Sequence, residues 1–179
     1  MQALIQSMID AALAQGAAKA AVIPAAEIVL SAEFRSICEG NGCGRYNRCW
    51  VCPPHAGEIG ALMDQVRSYR HGLLYQAIGE LEDSFDIEGM LDAGKRHAQL
   101  SQRIERCGAL PAEHLHLTCG GCRLCERCAK VDDEPCRHPD RALSSMEAYG
   151  IDVYQTTKNT PLKYINGPDT VTFFGIVLF

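Results

Sequence analysis

The chain contains the sequence Cys119-Gly-Gly-Cys122-Arg-Leu-Cys125-Glu-Arg-Cys128, in which every third residue is a cysteine. Residues 120–145 have almost no apolar periodicity, and a loop of that length rarely orders itself within a compact domain. Thiolates at this spacing are typical metal ligands, and metal binding orders polypeptide that would otherwise stay unfolded. We therefore predict that a metal centre organises this segment.

Nine of the ten cysteines fall into two groups. The first group is Cys38, Cys43, Cys49 and Cys52, and the second is Cys119, Cys122, Cys125, Cys128 and Cys136. In a reducing cytoplasm, metal explains so many thiols more readily than disulfides do. A secreted disulfide scaffold is the alternative, but such scaffolds are mostly short chains with little core, whereas this chain has 179 residues of which 47% are hydrophobic.

The second group favours iron–sulfur over zinc. A CxxCxxC run is the pattern with which bacterial ferredoxins hold three irons of one 4Fe–4S cluster, whereas zinc sites usually pair two CxxC units across a longer spacer. The fourth ligand is open between Cys128 and Cys136. Sulfur-rich tetrahedral sites are shared by both metals, so zinc is the alternative cofactor.

The first group, Cys38-x4-Cys43-x5-Cys49-x2-Cys52-Pro-Pro, supplies four thiols from a glycine-rich loop. This number is enough for a second 4Fe–4S cluster or for one zinc ion. Unliganded thiols are a third possibility. The two groups can also exchange ligands, with Cys52 completing the later cluster and Cys128 the earlier one, as in two-cluster ferredoxins.

Cys107, the tenth cysteine, lies at a predicted helix end, and we expect it to be a small buried hydrophobe rather than a ligand. His55 and His138 follow candidate ligands closely and are alternatives to a thiolate, although solvated loop histidines are the simpler interpretation. His114 and His116 share one face of a predicted strand, which we expect to face water.

The bulk composition indicates one domain in the cytoplasm. The first residues carry no basic segment, so no signal peptide is predicted, and the longest apolar run, residues 171–179, is too short to span a bilayer. The formal net charge is −5. This balance excludes nucleic acid as an expected partner, because phosphate binding needs a basic surface.

Helical and strand patterns alternate along the chain. We predict helices at 2–18, 31–37 with Ser31 as N-cap, 58–69, 83–106 with Asp83 as N-cap, and 151–159, and strands at 20–30, 71–78, 114–118 and 170–179. Gly108 is the expected stop of the fourth helix. The pattern predicts an α/β or α+β fold: a single-domain sandwich with a small central sheet and cysteine-rich metal loops at one end. Residues 145–153 are predicted to pack as a turn and helix start over the second cysteine group, and a ligand-binding role for Met146 or Glu147 is the alternative.

Four motifs occur together: Cys43-Gly-Arg-Tyr-Asn-Arg-Cys49-Trp-Val-Cys52-Pro-Pro, Cys119-Gly-Gly-Cys122-x2-Cys125-x2-Cys128, Pro135-Cys136-Arg-His-Pro and Ser145-Met-Glu-Ala-Tyr-Gly-Ile-Asp152-Val. In this combination the chain resembles the DUF2284 family of predicted metal-binding proteins over nearly its whole length. The resemblance implies cysteine-bound metal, specifically iron–sulfur, in prokaryotes with anaerobic metabolism, and it implies no particular reaction. Cys49 departs from the family pattern, in which another residue often stands there.

These observations lead us to expect an electron-transfer protein or redox module with two 4Fe–4S clusters and a redox partner protein. The first alternative is a redox enzyme, or an accessory protein that reduces a partner's cofactor, using a cluster with an open iron or a spare thiol. The second is a zinc-stabilised binding module. No membrane association is expected, and the sequence predicts no oligomeric state.

Overall fold

The computed structural model describes residues 2–179, which form one five-stranded sheet flanked by helices. The strands are β1 (Lys19–Pro24), β2 (His71–Glu80), β3 (Leu115–Thr118), β4 (Ser144–Ser145) and β5 (Thr170–Leu178). Their order across the sheet is β1-β2-β5-β3-β4, with every neighbouring pair antiparallel except β3 and β4. The α-helices of these residues are α1 (Gln2–Ala14), α2 (Glu33–Glu39), α3 (Ile59–Ser68), α4 (Ile87–Glu105) and α5 (Val153–Thr157).

Both faces of the central strands are buried. Leu73 and Tyr75 of β2 pack with α1 and α4 on one face, whereas Leu74 of β2 and Ile176 of β5 pack with α3 on the other. Because successive side chains of a strand point to opposite faces, a strand covered on both sides needs a continuous apolar run. The prediction of a mixed α/β single domain with a small central sheet is confirmed.

Several predicted boundaries were wrong. The first helix ends at Ala14, because residues 15–18 turn into the sheet, where the N–H of Ala18 donates to the carbonyl of Gln76. The strand predicted at 20–30 ends at Pro24, and a 3₁₀ turn follows it. The second helix extends to Glu39, so Cys38 lies inside α2 and not after it.

The fourth helix begins later than predicted. Asp86, not Asp83, is its N-cap, and the Asp86 carboxylate accepts a hydrogen bond from the N–H of Gly89 at 2.8 Å. Asp83 accepts from the N–H of Phe85 in the preceding turn. Gly108 follows the helix with φ of +74°, the left-handed conformation that the stop signal predicted.

The segment after β3 contains little regular structure. Between residues 119 and 143 the only regular element is a 3₁₀ turn at Ala129–Asp132. Ser144 and Ser145 then pair in parallel with the end of β3. The second cysteine group thus begins directly at the end of a buried strand. Among residues 2–179, no helix has the length and apolar character that a membrane crossing requires.

Candidate metal centre

Four cysteines of the second group border one small cavity. Its volume is about 20 Å³, and its wall contains Cys122, Cys125, Cys128 and Cys136. The segment between Cys128 and Cys136 makes a short turn, in which the N–H of Glu134 donates to the carbonyl of Ala129 at 3.1 Å. This turn brings Cys136 back to the CxxCxxC run, so both candidates for the fourth ligand reach the same cavity.

The two cysteine loops pack against each other. The indole Nε1 of Trp50 donates to the carbonyl of Glu134 at 2.8 Å, and the hydroxyl of Ser144 donates to the carbonyl of Val51 at 2.7 Å. The ammonium of Lys130 lies 5.0 Å from the centre of the Trp50 ring, within the range of a cation–π contact. These contacts join the first cysteine loop to the second.

Cys49 and Cys52 are the most buried members of the first group, with 1% and 6% of their surface exposed. A hydrogen bond from the Cys52 thiol lowers the pKa of Cys49 to about 5, and the backbones of Val51 and Cys122 and the side chain of Cys128 favour the thiolate in the same way. The pKa of Cys52 is raised, first by that contact with Cys49 and then by burial. Cys49 therefore lies where the two groups meet.

The other end of the site contains Cys38, Cys43 and Cys119 together with the carboxylates of Glu39 and Glu147. Burial raises the pKa of Cys38, and the charges of Cys43 and Glu147 raise it further. Burial raises the pKa of Cys119 to about 12, with Glu147 as the next cause. The Glu147 carboxylate also accepts from the N–H of Gly120 at 3.4 Å. Cys119 thus shares an acidic neighbour with the first cysteine group.

Glu147 is a residue for which the sequence favoured packing over a ligand-binding role. Met146 beside it is indeed fully buried in the core. The Glu147 carboxylate nevertheless raises the pKa of two cysteines that lie far from it in sequence. The signal in the sequence was that Glu147 belongs to one of the four motifs.

The donor set of the site consists mainly of thiols. All ten cysteines are free thiols, and four of them share one cavity wall. Within residues 2–179, no three histidine, cysteine or carboxylate side chains lie close enough to hold one metal ion. Thiols around a common cavity would fit an iron–sulfur cluster, in which each thiolate would hold a different iron, and thiolates are ligands of zinc as well.

A buried hydrogen-bonded network lies beside Cys119. The Tyr75 hydroxyl donates to the Ser101 hydroxyl at 2.7 Å and lies 2.7 Å from Nε2 of His116. Ser101 also bonds to the hydroxyl of Thr118 at 2.9 Å, and Nδ1 of His116 lies 2.8 Å from the Glu105 carboxylate. The prediction that the strand side bearing His114 and His116 faces water was wrong, since His116 is buried and both histidines contact Glu105.

His97 of α4 gives the protein a specific pH dependence. Its imidazole is fully buried between Tyr75 and Phe173, and neither ring nitrogen has a partner with hydrogen-bonding geometry. Burial lowers its pKa to about 4, against a slight opposing effect of the Phe174 backbone. As the pH falls below about 6.5, the imidazole of the unfolded chain binds a proton, whereas the buried imidazole of the folded protein stays neutral. The free energy of unfolding therefore falls with the pH until the folded protein also binds the proton, at about pH 4.

We expect His97 to lower the free energy of unfolding of the wild-type protein by about 2 kcal/mol when the pH falls from 7.5 to 5. In His97→Leu, whose side chain has a similar volume and does not titrate, the free energy of unfolding should fall less over the same pH range, by this amount. Urea unfolding of metal-loaded protein under argon at both pH values measures it. An identical pH dependence in the two proteins would contradict the prediction.

One protein-family model matches the part of the chain that contains the whole site. The family model described as "Predicted metal-binding protein (DUF2284)" matches residues 21–179, which include all ten cysteines. No curated protein and no solved structure matches the chain. The resemblance inferred from the four motifs is therefore confirmed.

Proposed function

Since the chain belongs to the DUF2284 family of predicted metal-binding proteins, we propose that it is an iron–sulfur protein with two 4Fe–4S clusters. Its role is to exchange single electrons with a redox partner protein. The observation that carries the proposal is the cavity bordered by Cys122, Cys125, Cys128 and Cys136. This set combines the CxxCxxC pattern of bacterial ferredoxins with a fourth thiol at the same cavity.

Charge and burial support one division of the ligands. We assign Cys122, Cys125, Cys128 and Cys136 to one cluster because they share a cavity. We assign Cys38, Cys43, Cys52 and Cys119 to the other. The charge of Cys43 raises the pKa values of both Cys38 and Cys52. The charge of Glu147 raises the pKa values of both Cys38 and Cys119. Cys49 then becomes the spare thiol between the two sets, and Cys107 has no ligand role.

The protein shell sets the properties of such a site. A bound 4Fe–4S cluster supplies reversible one-electron transfer, with a potential set by burial and by hydrogen bonds to sulfur. The backbone of Leu124 stabilises a negative charge on the sulfur of Cys122, one of the proposed ligands. Trp50 and Ser144 fasten the two cysteine loops to each other, and the packing around such a site controls how far solvent reaches it.

Metal analysis of protein purified without oxygen tests the proposal. We expect about eight iron and eight sulfide per chain, with broad absorption near 400 nm. A zinc-stabilised binding module would contain zinc and no iron or sulfide, and this result would refute the proposal.

Electron paramagnetic resonance of the reduced protein separates a carrier from an enzyme, because a carrier's spectrum should not change when candidate ligands are added.

A redox enzyme is the second candidate function. It is favoured by a large cavity whose wall includes Cys122 and Cys125, so a small molecule there would lie against two proposed cluster ligands. An electron carrier needs only a surface patch for its partner and has no use for such a cavity.

A further inference from the structure

A second and much larger cavity lies between α4 and the second cysteine loop. Its volume is about 710 Å³, within the range of small-molecule sites. Six basic residues line it, together with a single acidic one, Glu126. The basic residues are Arg45, Lys95, Arg103, Arg106, Arg123 and Arg141. The chain as a whole has a net charge of −5, whereas the wall of this basic cavity is positively charged.

The charges of the basic cavity are not neutralised by the protein. Within residues 2–179, the ion pairs made by lysine and arginine all involve other residues. Arg96, one residue beyond Lys95 on α4, pairs with Asp92, whereas none of the six residues of the cavity pairs with a carboxylate. Like charges gathered in a concave site repel one another and raise the local concentration of anions.

Three of the guanidinium groups are held in place by backbone carbonyls. Arg103 donates through Nε and Nη2 to the carbonyl of Gln15 at 3.1 and 3.0 Å. Arg106 donates to the carbonyl of Gln102 at 3.0 Å, and Arg45 donates to the carbonyl of Cys122 at 3.4 Å. Ser101 and Thr118 also belong to the wall, and the buried hydrogen-bonded network fixes both of them. A positively charged wall that is ordered before binding loses little entropy when a ligand arrives.

Metal thiolates alone do not account for these charges. Arg45 and Arg123 belong to the cysteine loops, where they can offset the negative charge of ligating sulfurs. Lys95, Arg103 and Arg106 belong instead to α4 and its C-terminal cap, and their spacing places them along one face of the helix. The negative charge of the cysteine loops therefore does not explain why these three side chains line the cavity.

We propose that the basic cavity binds a small polyanion that has two or more phosphate or carboxylate groups. Arginine forks match the oxygens of both groups. The concave shape favours a small molecule over an acidic protein surface. This inference goes beyond the proposed electron-transfer role and does not depend on the identity of the metal.

Calorimetric titration of the metal-loaded protein under argon tests the inference, with tricarballylate as the carboxylate and 2,3-bisphosphoglycerate as the phosphate. We expect at least one of them to bind with a Kd below about 1 mM in 50 mM salt, and more weakly in 200 mM salt. The stronger of the two identifies the anionic group that the cavity selects. Metal content measured after the titration shows that neither anion acts by removing metal.

The double variant Lys95→Gln/Arg106→Gln should weaken binding at least about tenfold, because it removes two charged donors from the cavity. The matched control is Lys19→Gln/Arg96→Gln, which removes the same net charge from residues outside the cavity and should change Kd less than about twofold. Binding of neither anion, or an equal loss in the control, would overturn the inference. Iron analysis of the same sample reports separately on the proposed function.

Discussion

Replacing both Cys122 and Cys125 by serine is expected to remove one complete cluster, leaving about four of eight irons per chain. Both residues border the cavity that also contains Cys128 and Cys136. A serine hydroxyl is a harder ligand than a thiolate and is not ionised at neutral pH, so two such changes leave too few thiolates to hold the cluster. Iron and sulfide analysis of anaerobic protein measures the loss.

Two single variants serve as controls. Cys107→Ser changes a half-buried cysteine outside both groups, and Cys49→Ser changes the proposed spare thiol. Both should retain about eight irons. Loss of a cluster in Cys49→Ser would contradict the division of ligands, whereas full metal content in the Cys122/Cys125 double variant would contradict the metal site itself.

The double variant should also lose order locally and not globally. Residues 119–143 have one short 3₁₀ turn and few buried apolar side chains, so we expect their order to depend on the proposed metal. The β2–β5 pair has nine cross-strand partners and a core on both faces. Hydrogen exchange should therefore accelerate by about an order of magnitude or more in the loop and change little in these strands.

The central strands could be predicted from the sequence because the apolar pattern that predicts each strand lies within the strand itself. β2 and β5 are continuous apolar runs between polar turns, and both predicted starts are correct to the residue. The start of α4 was missed by several residues because Asp83 and Asp86 both accept hydrogen bonds from nearby N–H groups. Capping chemistry alone cannot choose between two such aspartates in adjacent turns.

The environment of the site depends on contacts that are distant along the chain. His116 is buried because Tyr75 of β2 and Glu105 of α4 cover it, and alternation along a short strand does not reveal a second covered face. Glu147 affects the thiols of Cys38 and Cys119 because the pairing of β4 with β3 brings its segment to the end of the strand that leads into Cys119. The cysteines were visible in the sequence, whereas the residues that surround them required the fold.

Gly175 is expected to be essential to the fold and, through it, to the network beside Cys119. Gly175 pairs with Tyr75 across the β2–β5 ladder, and a Cβ atom there would overlap with the ring carbon Cζ and the hydroxyl of Tyr75. Tyr75 cannot move away cheaply, because it is fully buried and its hydroxyl is held by Ser101 and His116. Gly175→Ala should therefore lower the free energy of unfolding by about 3 kcal/mol.

Gly60→Ala is the matched control, since it adds the same methyl group in the first turn of α3, where no atom other than those of the adjacent residues and the helix backbone lies within 4 Å of the new Cβ. It should leave stability unchanged or raise it by up to about 1 kcal/mol. Urea unfolding of both variants in the metal-loaded state measures the difference. If Gly175→Ala unfolded at the wild-type denaturant concentration, the close packing of Tyr75 over β5 would be wrong, and with it the account of how the core holds the network next to Cys119.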